Sequence, residues 1–184
     1  MRILTYQYQP AAYRPYDPEA PTVAAAVARS IRSANDRLRV EHIGSSAVPG
    51  CAGKGYIDLL VLYAPGELDA ARRAVDDLGF QRQGSRDPFP EERPMRVGVV
   101  EWNGRDYSIH AHIVSVDARE ADELVWFRDR LRSDSALRDA YEAEKRRILD
   151  AGVTDGVDYS YAKHAFIDGV IATRGGEDRE CGSC

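Results

Sequence analysis

Residues 40–62 read VEHIGSSAVPGCAGKGYIDLLVL. Val40 and Ile43 predict a strand that stops at Gly44-Ser45-Ser46, and the apolar run from Ile57 to Tyr63 predicts a second, buried strand beyond a turn of small residues. One residue, Asp58, interrupts that run. A carboxylate in an apolar strand is costly unless a cation or hydrogen bonds compensate it. Backbone N–H groups of a helical turn starting near Ser45 would face phosphate oxygens, and Asp58 on the adjoining strand would hold a Mg²⁺ bridging them. The same residue could instead end a strand edge or cap a neighbour. Spacing alone leaves both readings open.

On the N-terminal side, Met1 to Pro21 is rich in proline and tyrosine and reads as an arm lying across the domain with a short strand of its own. Val23, Val27, Ile31, Ala34 and Leu38 recur at helical spacing, which predicts an amphipathic helix over 22–38 with Thr22 as its cap. On the C-terminal side, Leu68, Ala71, Val75 and Leu78 predict a second helix over 66–78 that meets Gly79 at its end. Gln83 to Pro94 is polar, broken by prolines, and long enough to be a lid or binding loop.

Asn103-Gly104 then marks a two-residue type I′ turn, pairing Trp102 with Arg105, Glu101 with Asp106 and Val97 with His110. Because strand side chains alternate, Tyr107, Ile109, Ala111 and Ile113 share a core face, while Glu101, Ser108, His110 and His112 share the other. Three more helices follow: one with Leu124, Phe127 and Leu131, one capped by Asp134 with Leu137, Tyr141 and Ile148, and one over 161–171. The chain from 174 to 184 reads as a disordered tail behind a single domain over 1–173.

Composition narrows the class. With 184 residues, 43% hydrophobic and 30% charged, the chain suits one globular domain, and no apolar run approaches the roughly 20 residues of a membrane span. A net charge of −5 argues against coating nucleic acid. No leader pattern is visible and the three cysteines form no disulfide framework, so a reduced, cytoplasmic setting is expected. Cys181 and Cys184 have the spacing of half a zinc site with no second pair to complete it.

The run Glu41-His42-Ile43-Gly44-Ser45-Ser46-Ala47-Val48-Pro49-Gly50 with Lys54 and Ile57-Asp58 resembles the signature of the GrpB-like family, a branch of the nucleotidyltransferase superfamily. Later pieces agree in order: His110-Ala111-His112-Ile113-Val114, Phe127 to Arg132, Tyr141 with Lys145, and Tyr159 to Phe166 around Lys163. The resemblance implies an α/β (α+β) minimal nucleotidyltransferase fold, a mixed β-sheet flanked by helices. It also implies Mg²⁺ as cofactor, ATP or another nucleoside triphosphate as substrate, and transfer of a nucleoside monophosphate to a small acceptor. In some bacteria a similar domain follows a dephospho-coenzyme A kinase.

The superfamily pattern carries two acids separated by one residue, and here the second position is Leu60. Asp58 therefore stands without that partner, and His110 or His112 is expected beside it as a metal ligand or general base, with His112 sharing the metal. Gly44, Ser45, Ser46, Lys54, Arg128, Arg132 and Lys163 are the phosphate-binding candidates, and His42 and Glu101 the substrate contacts. Arg86, Arg93 and Arg96 could line a substrate pocket. Two other readings stay open: a non-catalytic module binding a nucleotide, a coenzyme A-like ligand or a protein, and a histidine-based transition-metal site. The oligomeric state is also open, a homodimer being one option.

Overall fold

This computed structural model describes residues 2–180, without the side chains of 175–180; the Cys181/Cys184 pair lies outside the described residues. The elements are β1 (Ile3–Leu4), α1 (Ala20–Ala34), β2 (Arg39–Ile43), a 3-10 turn (Ser45–Ala47), β3 (Ile57–Tyr63), α2 (Leu68–Asp76) and β4 (Gln81–Arg82). They continue with β5 (Met95–Trp102), β6 (Arg105–Ser115), α3 (Arg119–Ser133), α4 (Ser135–Asp150) and α5 (Gly156–Glu180). The strands form one six-stranded mixed sheet in the order β1-β5-β6-β3-β2, with β4 also paired to β5. Only β3 and β6 run parallel; the other pairs are antiparallel.

The β5–β6 hairpin has the register its turn demands. Trp102 pairs with Arg105 and Val97 with His110. Asn103 and Gly104 take φ of 51° and 74°, the left-handed pair that matches strand twist. One face of the sheet carries Ile57, Leu59, Val61, Ile109, Ala111 and Ile113 against Val23, Val27 and Ile31 of α1 and Ala71 and Val75 of α2. On the other face, α3 covers Ile43, Leu60, Leu62 and Val114. Asp58, His110 and His112 lie on this second face, Asp58 directly beside His110 and Leu60 beside His112. Cys51 and Val48 pack with Phe127, Leu131 and Tyr141, which ties α3, α4 and α5 to the end of the glycine-serine loop.

Some boundaries differ from expectation for local reasons. Glu19, not Thr22, is the residue before α1, so Pro21 sits inside the first turn, where a missing N–H leaves no hydrogen bond unmade. Leu38 lies beyond α1 yet stays in the core, since the chain turns back directly into β2. Helix α2 ends at Asp76, ahead of Gly79, and α5 extends past both ends of 161–171. Among the described residues no helix is long and apolar enough to cross a membrane.

Asp134 does cap α4, accepting from the Leu137 backbone N–H at 2.9 Å. Asp134→Ala is expected to lower stability by about 1 kcal/mol, a shift of roughly 2–4 °C in Tm by calorimetry.

Candidate active site

Glycine 44 begins the site. Its φ of +72° turns the chain from β2 into the Ser45–Ala47 turn, and an added Cβ would lie 2.5 Å from Asp58 Oδ2. The turn therefore rests directly against that carboxylate because position 44 has no side chain. Asp58 is the second residue of β3, and its side chain is 28% exposed, so an ion can reach it.

The other carboxylate oxygen faces two imidazoles. Asp58 Oδ1 is 3.5 Å from His110 Nδ1 and 3.7 Å from His112 Nε2. Burial pushes the Asp58 carboxyl up, and the two histidines more than reverse this, holding it well below the usual carboxylate range. Burial pushes the His110 imidazole down against the pull of Asp58. The distal nitrogens are also engaged: the Tyr6 hydroxyl lies 2.9 Å from His110 Nε2, and Arg93 Nη1 lies 3.2 Å from His112 Nδ1.

A cavity of about 530 Å³ opens in front of Asp58, walled by Gly44, Ser45 and Ser46 on the turn and by Lys54, Lys145 and Lys163 opposite. Lys145 is 1% exposed and donates to Ser45 Oγ at 3.1 Å, to Cys51 Sγ at 3.3 Å and to the Ala52 carbonyl. It holds the loop in place. Lys54 and Lys163 instead rest on tyrosine faces, Lys54 Nζ 5.0 Å from the Tyr56 ring and 5.5 Å from Tyr159, Lys163 Nζ 4.8 Å from Tyr159. Aromatic faces hold ammonium groups without neutralising them. Burial lowers both lysines while Asp58 opposes, and Lys163, also repelled by Lys54, falls to about 7.

A lysine lowered from its ordinary 10.5 to about 7 on folding binds fewer protons than in the unfolded chain between those values. Stability therefore rises with pH from about 7 toward 10 and is lost as pH falls back through that window. Compared with Lys163→Met, the wild type should gain about 3 kcal/mol, roughly 6–12 °C in Tm, between neutral pH and pH 9.5 in calorimetric scans.

The remaining candidates sit elsewhere. Arg128 is buried, donating to Glu41 at 2.9 Å, to the His42 carbonyl at 3.0 Å and to Asp129. Arg132 donates to the Ala47 carbonyl at 2.9 Å, bracing the turn from behind. Neither lines the cavity. Glu101 shares the sheet face of His110 but lies exposed at the hairpin end opposite Asp106, about 13 Å along the strand from His110. His42 is hydrogen-bonded to Ser46 Oγ at 3.0 Å, and burial, opposed by Asp58, lowers it to about 4. Among the arginines of the long loop region, Arg96 is 2% exposed and bound to Asp76 and Glu91, a structural tie, whereas Arg93 reaches His112. Nothing in the sequence singles out Tyr6, and Tyr159 and Lys145 appear there only as matched positions of the resemblance; their places depend on contacts between chain segments far apart.

The mixed sheet flanked by helices is similar to the nucleotidyltransferase fold. The crystal structure of Cid1 poly(U) polymerase with Mg 3′-dATP bound aligns with a TM-score of 0.53 at 12% identity, over 80% of this chain and 49% of that one. The chain belongs to the GrpB family: the family described as GrpB protein matches residues 10–173. A UPF0157 protein of Halalkalibacterium halodurans is 31% identical over 158 residues, 85% of this chain and 78% of its own. One from Streptomyces coelicolor is 34% identical over 145 residues, 76% and 70% of the two chains. The crystal structure of conserved protein GrpB from Enterococcus faecalis aligns with a TM-score of 0.67 at 24% identity, over 88% of this chain and 95% of that one.

Proposed function

We propose that the protein transfers a nucleoside monophosphate from a nucleoside triphosphate, ATP or another, to a small acceptor, with Mg²⁺ held at Asp58. The observation that carries this reading is the pairing of an ionised carboxylate, packed on the Gly44 turn, with Lys54 and Lys163 across one cavity. Neither lysine has a carboxylate within ion-pair distance among the described residues, so an anionic ligand would meet free ammonium donors.

The donor set suits magnesium. One carboxylate, with the remaining positions left to water and substrate phosphates, is how this hard cation is commonly held. When bound, it would supply charge to the reacting phosphate. The chain's own groups do the rest: the Ser45 and Ser46 backbone N–H groups at the start of the turn serve as donors to the phosphates, Lys54 and Lys163 orient the phosphate tail, and Lys145 keeps Ser45 in place.

Leu60 favours a second reading. It is fully buried with Ile43, Leu62, Val114 and Ala121, where the superfamily pattern has an acid, so the site offers one carboxylate where two are usual. A module that binds a nucleotide or coenzyme A-like ligand without transferring anything fits that feature. Calorimetry with ATP in the presence and absence of Mg²⁺, combined with a pyrophosphate assay over a panel of small hydroxyl and amine acceptors, separates the two. Binding with pyrophosphate release is expected; binding without release would assign the second reading, and no binding of any nucleotide would reject both.

A further inference from the structure

We infer that Arg93 is a positioning residue that keeps the proton of His112 on Nε2, so that His112 turns an N–H and not a lone pair toward Asp58 and is not a metal ligand. The separations of 3.5 and 3.7 Å from Asp58 Oδ1 to the two ring nitrogens admit two arrangements. Each nitrogen could face Oδ1 with a lone pair or with an N–H; among the described residues no three His, Cys, Asp or Glu side chains are grouped so as to hold a metal ion. The distances do not choose between them. The far side of His112 does.

A guanidinium has five N–H donors and no acceptor, so His112 Nδ1, 3.2 Å from Arg93 Nη1, must accept. A ring that accepts at Nδ1 and remains neutral carries its hydrogen on Nε2. To ligate a metal through Nε2, the ring would have to become an imidazolate or turn an Nδ1–H toward a cation. Arg93 is not free to swing away: its Nε donates to Glu120 Oε2 at 2.9 Å, and its guanidinium carbon lies 4.3 Å from the centre of the Phe89 ring. Phe89 also stands edge-on to the His112 ring at 5.7 Å, fixing the imidazole plane.

His110 takes the opposite tautomer. An ionised Asp58 can only accept, which puts the His110 proton on Nδ1 and leaves Nε2 to accept from the Tyr6 hydroxyl at 2.9 Å. Two N–H groups then face Oδ1, at 3.5 and 3.7 Å, and Oδ2, against Gly44, is the oxygen left for a cation. A site offering one oxygen and no imidazole nitrogen selects a hard cation over zinc, nickel or copper. That consequence for the cation rests on the reading of Asp58 proposed above; the tautomers do not.

Long-range ¹H–¹⁵N spectra of the imidazole rings, assigned by replacing His42, His110, His112 and His164 one at a time, read the tautomers directly. The protein alone should show His112 protonated on Nε2 and His110 on Nδ1. In Arg93→Met the His112 tautomer ratio should shift by about tenfold or more toward Nδ1–H, and Arg93→Lys, which keeps a donor-only group, should restore part of it. Stoichiometric Mg²⁺, and separately Zn²⁺, should leave the protonated Nε2 of His112 in place. A His112 ring carrying its proton on Nδ1 in the wild type, or losing the Nε2 proton to either ion, would overturn the assignment. These outcomes hold whether or not the protein transfers nucleotides, so failure of the inference and failure of the proposed function are distinguishable.

Discussion

Asp58→Asn is expected to reduce Mg²⁺-dependent pyrophosphate release by about 10³-fold while leaving the fold intact, since the amide matches the carboxylate in shape but removes its charge and turns one acceptor oxygen into an NH₂ donor. The loss follows from the carboxylate of Asp58, whose Oδ2 is held against Gly44 and whose side chain lines the cavity. Lys54→Met should act differently. Its ammonium group rests on Tyr56 and Tyr159, so removing it weakens nucleotide binding by about tenfold through the lost charge-assisted hydrogen bond. Calorimetry and the release assay on the two variants separate the roles: Asp58 governs the reaction, Lys54 the affinity.

The second large effect is on stability. Gly44→Ala places a methyl group 2.5 Å from Asp58 Oδ2 at a backbone φ of +72°, so it combines left-handed strain with a steric clash. A cost of about 2–3 kcal/mol is expected, seen as a Tm fall of roughly 4–12 °C. The clash and the strain can be told apart by a double-mutant cycle. Asp58→Ala removes the carboxylate but keeps its Cβ, 3.2 Å from the added methyl, so the double variant should recover part of the loss, with a coupling of about 1 kcal/mol. Strict additivity would mean that the turn had moved off β3 and that the close approach does not matter.

The elements around this site were legible in the sequence wherever the signal was local. Asn103-Gly104 fixed the β5–β6 register, and that register alone put His110 and His112 on one face. The glycine-serine turn and the acid on the next strand were likewise visible within 23 residues, 40–62. What could not be read is the layer behind them. Lys145 meets Ser45 across 100 residues, Tyr6 meets His110 across 104, and Arg93 arrives from an irregular loop that has no period to interpret. Arg128 and Arg132 are phosphate-binding candidates from their shared helix face, yet Arg128 is engaged by Glu41, Asp129 and the His42 carbonyl, and Arg132 turns Nε and Nη1 to the Ala47 carbonyl and Asp129. Four-residue spacing reports a shared helix face but not what that face meets.

The reading of Leu60 has a similar physical basis. The strand alternation that puts Asp58 on the α3 face also puts Leu60 there, but α3 covers only the Leu60 end, while Asp58 opens to the cavity. One turn of chain separates an apolar position from an ionised one. An acid at position 60 would be buried among Ile43, Leu62 and Val114 with no cation to reach it.

The most direct measurement is a crystal structure of the protein with Mn²⁺ and a non-hydrolysable nucleoside triphosphate, using the anomalous signal to place the ion. The account predicts a peak about 2.0–2.2 Å from Asp58 Oδ2, with phosphate oxygens between it and the Lys54 and Lys163 ammonium groups. A peak coordinated by the two imidazoles, or a triphosphate lying outside the cavity, would contradict it.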